Sequence, residues 1–154
     1  MSDKNANWAP PVDFFFQVQF HLGAQPETVS FMEVNGLESE ITLQESNLSG
    51  SDGVKVKLPQ AVVHGNITLK RALEPTSEQF TSWVNKCFRF MENGFISPCD
   101  MIISLMDSQN QALASWTCTR AYPVKWNLGT LDAQKSGLAI ETLVITYNIL
   151  ERKK

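Results

Sequence analysis

Leu138-Ala139-Ile140-Glu141-Thr142-Leu143-Val144-Ile145-Thr146-Tyr147-Asn148-Ile149-Leu150 runs for 13 residues without Gly or Pro and is rich in β-branched and aromatic side chains. Such a composition favours a strand. At ~3.3 Å per residue it would span roughly 40 Å, against a usual strand of about 5–6 residues. Thr142, Val144, Thr146 and Asn148 alternate with Leu143, Ile145, Tyr147 and Ile149. One face is thus free to meet water or a neighbour while the other closes a core. A small domain with so long a ribbon is building a wall, a barrel or an assembly surface. Just upstream, residues 101–106 and 113–121 read as a hairpin around the polar turn 107–111.

The two-residue period recurs outward from this ribbon. Residues 12–22 place Phe14, Phe16, Val18, Phe20 and Leu22 on one face and Asp13, Gln17, Gln19 and His21 on the other. Residues 30–34 form a short strand, and Asn35-Gly36 marks a turn. In residues 37–46, Ile41 and Leu43 are expected to face in, with Glu38, Glu40, Thr42 and Gln44 out. Residues 65–74 set Ile67, Leu69 and Leu73 opposite Asn66, Thr68 and Lys70. Between these lies a long polar excursion with Asn47, Ser49, Gly50, Ser51, Asp52, Lys55 and Lys57, and a loop of that length in a small domain is usually functional. The period changes once. Thr76 caps a helix with Gln79 three residues on, Phe80, Trp83, Val84, Cys87 and Met91 form its apolar stripe, and Asn93-Gly94 stop it. The expected class is α+β, mainly β: an antiparallel sandwich or barrel of about seven strands with one amphipathic helix packed on its side. Its expected core includes Phe14, Phe16, Phe20, Phe80, Trp83, Trp116, Leu143 and Ile145.

The 154 residues suit one domain spanning 12–150, preceded by a flexible arm at 1–11 and followed by a short charged tail at 151–154. With 43% hydrophobic and 19% charged residues the chain is expected to fold. A net charge of -3 supplies no basic field for sequence-specific nucleic-acid binding or anionic lipid. No apolar run is long enough for stable membrane anchoring, and the N-terminus lacks the pattern of a signal peptide, so synthesis in the cytoplasm is expected. Cys87, Cys99 and Cys118 fit neither a disulfide framework nor a metal knuckle and read as buried thiols.

Catalytic chemistry finds little footing. His21 lies on a polar strand face and His64 beside Gly65, with no nucleophile elbow near either in sequence. Glu38 and Glu40 at i and i+2 would place carboxylates about 7 Å apart, a spacing known from inverting glycosidases, but the segment is polar with nothing to raise one pKa, and a solvated strand face accounts for them better. No catalytic, metal or cofactor residues are assigned, and no enzymatic activity is expected. What does recur is a neutral polar face: Gln17 and Gln19, Thr42 and Gln44, Asn66 and Thr68, Thr142 and Thr146. Long strands also leave edges that must be paired or covered, which favours assembly with further copies.

Several phrases, in order, resemble the tail tube proteins of contractile phages and phage-like contractile injection systems. They are the aromatic strand at 11–20, Phe-Met-Glu-Val-Asn-Gly-Leu at 31–37, Lys-Leu-Pro at 57–59, Gly-Asn-Ile-Thr-Leu-Lys-Arg at 65–71 and the helix holding Trp83. Ile-Ile-Ser-Leu-Met-Asp at 102–107, the run from Trp116 to Trp126 and Ala-Ile-Glu-Thr-Leu at 139–143 continue the series. Gln60 and Ala72 stand where the family often has Gly, and the first long loop is unusually Ser/Gly-rich. The resemblance implies hexameric rings that stack into a hollow tube, surrounded by sheath subunits, seated on a baseplate hub and holding a tape measure or cargo. It implies residence in an assembled phage tail or injection particle. The neutral polar residues would then line the lumen, and the loop with Asn47 to Lys57 would reach the next ring or subunit. Alternatives are a tube initiator or tail-end ring of the same machine, or a soluble ligand-binding β-barrel.

Overall fold

A computed structural model describes residues 13–47, 53–134, 137 and 139–154. The chain forms β1 (Phe14–His21), β2 (Glu27–Phe31), β3 (Glu33–Asn35), β4 (Ser39–Asn47), β5 (Lys55–His64), β6 (Ile67–Ala72), α1 (Glu78–Phe88), α2 (Phe90–Asn93), β7 (Cys99–Asp107), β8 (Ala112–Leu128), β9 (Ile140–Thr146) and β10 (Ile149–Arg152). All pairings are antiparallel, in the order β2-β1-β7-β8-β9-β6-β3, with β10 also on β8. The two ends of that path, β2 and β3, are joined through Met32 alone, whose N–H donates to Lys70 O at 2.9 Å. The sheet therefore closes on itself as a barrel and hides its edges there. The expected class, a mainly antiparallel β-barrel with a helix at its side, is the observed one.

The inward residues alternate as the pleat requires. Val18, Phe20, Val29, Phe31, Ile67, Leu69, Met101, Ile103, Leu143 and Ile145 fill the interior, and Phe80, Trp83, Val84 and Cys87 of α1 pack onto it. Phe20 meets the Phe80 ring at 4.9 Å and Trp83 at 5.6 Å. The helix is capped one residue later than expected: Ser77 Oγ accepts from the Phe80 N–H at 3.1 Å. It also ends early, at Phe88, before a single turn closed by Gly94 at φ 82. Met91, placed on the apolar stripe by sequence, is consequently 85% exposed.

Of the expected core residues, Phe20, Phe80, Trp83, Leu143 and Ile145 are buried, while Phe16 and Trp116 are partly buried against the core. Phe14 is a correction. It is 50% exposed, because it lies at the start of β1, far from the helix, and only edges against Phe16 at 6.1 Å.

The long ribbon is also corrected, and the reason is instructive. The longest strand is β8, at 17 residues, whereas the terminal ribbon breaks at Tyr147 and Asn148 into β9 and β10. Both pieces nevertheless run beside β8, and the register is kept across the break, with Tyr122 opposite Thr146 and Thr119 opposite Ile149. At the break Arg120 takes φ 54, and its N–H is satisfied by Asp100 Oδ1 at 3.1 Å. Across from it, Asn148 N–H donates to Thr119 O at 2.9 Å. This is a bulge matched on both strands. Each strand changes face at the same point, so Tyr147 points inward, Leu150 packs on the core and Ile149, expected inside, is exposed.

Burial has a consequence for alkaline stability. Desolvation pushes the Cys118 thiol up to about 12, and with help from neighbouring Cys87 and Asp100 it does the same to Cys99. The Tyr147 phenol rises to about 12, first through burial and then through Cys118 and Glu38. These groups hold their protons in the folded state, while the unfolded chain releases them near 9 for thiols and 10 for the phenol. Their contribution is whole below about pH 9 and is lost as pH climbs toward 12, by about 1.4 kcal/mol per pH unit for each group. Urea titrations at pH 8 and 10.5 are expected to show a clear fall in midpoint, and Cys118→Val should flatten it. An unchanged midpoint would mean these groups are solvated.

Candidate assembly surface

β4 and β5 form a two-stranded sheet of their own, outside the barrel's hydrogen-bond network. The excursion expected here, with its most flexible part at 46–53, is largely strand where it is described. Asn47 closes β4, Lys55 and Lys57 belong to β5, and Asn47 faces Lys55 as the last rung. The rest of that segment, Ser49, Gly50, Ser51 and Asp52, lies outside the described residues. The strand over 55–64 escaped detection because Pro59 and Gln60 interrupt its pattern. They sit where the register shifts, between Thr42 and Leu43 on the partner strand, a bulge that tolerates the missing proline donor.

Ile41 and Leu43 were expected inside, but each is 57% exposed. Their alternation is sound and their core is absent. Opposite them stand Val62 and Pro59, which makes one apolar hairpin face, while Leu58, Ala61 and Val63 share the other with Thr42, Gln44 and Glu40. Val54, Leu58, Val62 and Val63 are exposed as well. A lone two-stranded hairpin is marginal in water, and an apolar patch of this kind marks an interaction surface. Among the described residues, β4 and β5 pair only with each other and β10 only with β8, so three strand edges stand open. The far end of the hairpin carries an exposed Lys55–Glu45 pair at 3.8 Å, which contributes little energy.

The expected lumen residues fall into separate groups. Thr68, Thr142 and Thr146 share the outer wall of β6 and β9, where Thr68 faces Val144 and Lys70 faces Thr142. Asn66 precedes that wall, exposed. Thr42 and Gln44 lie on the hairpin, which enters β6 within a few residues. Gln17 and Gln19 sit on a different wall, opposite Ser104 and Ile102 of β7. Leu73, expected inward with Ile67 and Leu69, is exposed.

Sequence reading missed the buried ion pair of the β6–β9 wall. Arg71 Nε donates to Glu141 Oε2 at 2.8 Å, and the two residues are 5% and 7% exposed. Trp126 of β8 donates its indole N–H to the other oxygen of Glu141. Arg71 further donates to Glu74 O at 3.1 Å and lies 6.0 Å from the Phe31 ring. An open groove of about 880 Å³ runs along α1, lined by residues including Glu78, Lys86, Arg89 and Glu92. Among the described residues no group of three His, Cys, Asp or Glu side chains is placed to hold a metal ion, and no helix is long and apolar enough to cross a membrane.

Solved structures share this fold. The chain is 22% identical, with TM-score 0.72, to a component of the anti-feeding prophage baseplate, over 96% of this chain and 97% of that one. It is 20% identical, with TM-score 0.73, to a chain of the sheath/tube terminator of the PVC extracellular contractile injection system, over 97% and 99%. Hcp1 from Flavobacterium johnsoniae is more distant, at 16% identity and TM-score 0.50 over 90% and 94%. No curated protein matches it. A family model does: residues 12–151 match the T4-like virus tail tube protein gp19 family, and the chain is a member of that tail tube family.

Proposed function

We propose that the protein is the structural subunit of the inner tube of a contractile tail or injection system, forming hexameric rings that stack into a hollow conduit. The observation that carries this reading is the β4–β5 hairpin, which exposes the apolar face of Ile41, Leu43, Pro59 and Val62 and lacks a core of its own, on a chain of the tail tube family. Further copies would cover that face and pair the open edges. The lumen would be lined by Thr42 and Gln44 on the hairpin together with Asn66, Thr68, Thr142 and Thr146 on or beside the β6–β9 wall. Gln17 and Gln19 would belong to another contact. Sheath subunits would surround the tube and a baseplate would seat it. The family's role is structural, so no reaction is assigned.

The test is size-exclusion chromatography with negative-stain microscopy across a concentration series. Rings and tubes with a central channel are the expected result. Single rings that never stack would assign the chain to an initiator or tail-end ring, and a strict monomer at every concentration would overturn the assembly reading.

A further inference from the structure

The hairpin and the barrel are separate sheets, so the angle between them is set at the hairpin's root. That root is built tightly. Gly36, at φ 96, lies so close to β6 that a Cβ there would come within 2.2 Å of Asn66 O. Glu38 Oε1 lies 3.0 Å from where a Cβ on Gly65 would stand. Between these crossings is the first rung, Ser39 opposite His64, with Ser39 Oγ 3.2 Å from His64 Nδ1. The His64 ring also meets the ring of Tyr147, at 5.2 Å between centroids and 41° between planes. Tyr147 is itself 8% exposed and sits at the matched bulge where the ribbon changes face. Its buried hydroxyl has no hydrogen-bond partner among the described residues, and the contact with His64 is made by the ring. His64 thus joins the hairpin's first rung to a core residue of the barrel.

We propose that His64 is the positioning residue of the hairpin: its ring, in contact with Ser39 and Tyr147, fixes the angle at which β4 and β5 leave the barrel and thereby the geometry in which copies of the chain meet. The second half of this rests on the tube reading; the first half concerns the isolated chain. A hairpin held in its bound orientation loses less freedom on association.

The test uses the full chain with spin labels at Lys57→Cys on the hairpin and Gln109→Cys on the exposed β7–β8 turn. The native cysteines are buried and remain unlabelled in the folded protein. Dilute monomer should give one narrow distance distribution. His64→Ala and His64→Gln should broaden it and raise the concentration needed for assembly by about tenfold, with the barrel's Tm unchanged. His64→Phe keeps a ring against Tyr147 and should restore the narrow distribution, a rescue that a general loss of stability would not produce. Should His64→Ala fail to fold, the Gln and Phe variants carry the comparison. A narrow distribution in His64→Gln, or a broad one in folded His64→Phe, would overturn the proposal. Because the distances are read on monomer, these results are independent of whether wild-type tubes form.

Discussion

Glu141→Ala is expected to lower the unfolding free energy by about 3–5 kcal/mol, the cost of leaving a buried charge without its counterion. Glu141 receives the Arg71 guanidinium at 2.8 Å and the Trp126 indole N–H, so one deletion strands two donors, one on each strand beside β9. Arg71 cannot shed its charge and is 5% exposed, held under Phe31. Its remaining carboxylate contact, Glu74 at 3.6 Å, is at the surface, so Glu74→Ala should cost under about 1 kcal/mol. Against a typical total of about 5–15 kcal/mol the Glu141 loss is large. The double variant Arg71→Met/Glu141→Leu should regain most of it, since an apolar pair of similar volume needs no compensating charge. Urea unfolding of the three variants decides the matter. If Glu141→Ala costs less than about 1 kcal/mol, solvent reaches the guanidinium and the pair is not a buried one.

The same pair marks where sequence legibility ended. Period-two alternation identified β1, β6 and β9 because in each one side faces the barrel core, as with Val18 and Phe20, Ile67 and Leu69, and Leu143 and Ile145. Arg71 and Glu141 occupy inward positions of that alternation, but polarity alone suggests the outside; only the pairing of β6 with β9, which sets Arg71 opposite Glu141, makes their burial intelligible. A signal was present: each continues the inward parity of its neighbours. The break at Asn148 was invisible because no Gly or Pro announces it, and the positive φ falls on Arg120, a residue that rarely adopts it. Ile41 and Leu43 show the opposite failure. Their alternation is as regular as that of Ile67 and Leu69, yet the apolar face has no core in the same chain, a fact that resides in tertiary structure. Periodicity reports that a face is to be covered and is silent on what covers it.

That silence yields the second large effect. Leu43→Asp combined with Val62→Asp should abolish ring and tube formation while leaving the barrel's Tm within about 2–4 °C of wild type. Both side chains are more than 40% exposed and lie outside the buried core cluster, so the isolated chain loses little by the exchange. In an assembly that covers this face, each replacement forfeits about 1.5–3 kcal/mol of burial and places a carboxylate where it is poorly solvated. The concentration needed to assemble should rise by at least about a hundredfold. Lys57→Ala, near the hairpin's far end, is the control. It removes an exposed charge but no apolar side chain, so it should change the salt dependence of assembly far more than its extent. Sedimentation velocity and negative-stain images at matched concentrations separate the outcomes. Tubes formed normally by the double aspartate variant would show that the hairpin faces solvent in the assembled particle and that copies of the chain meet through another surface.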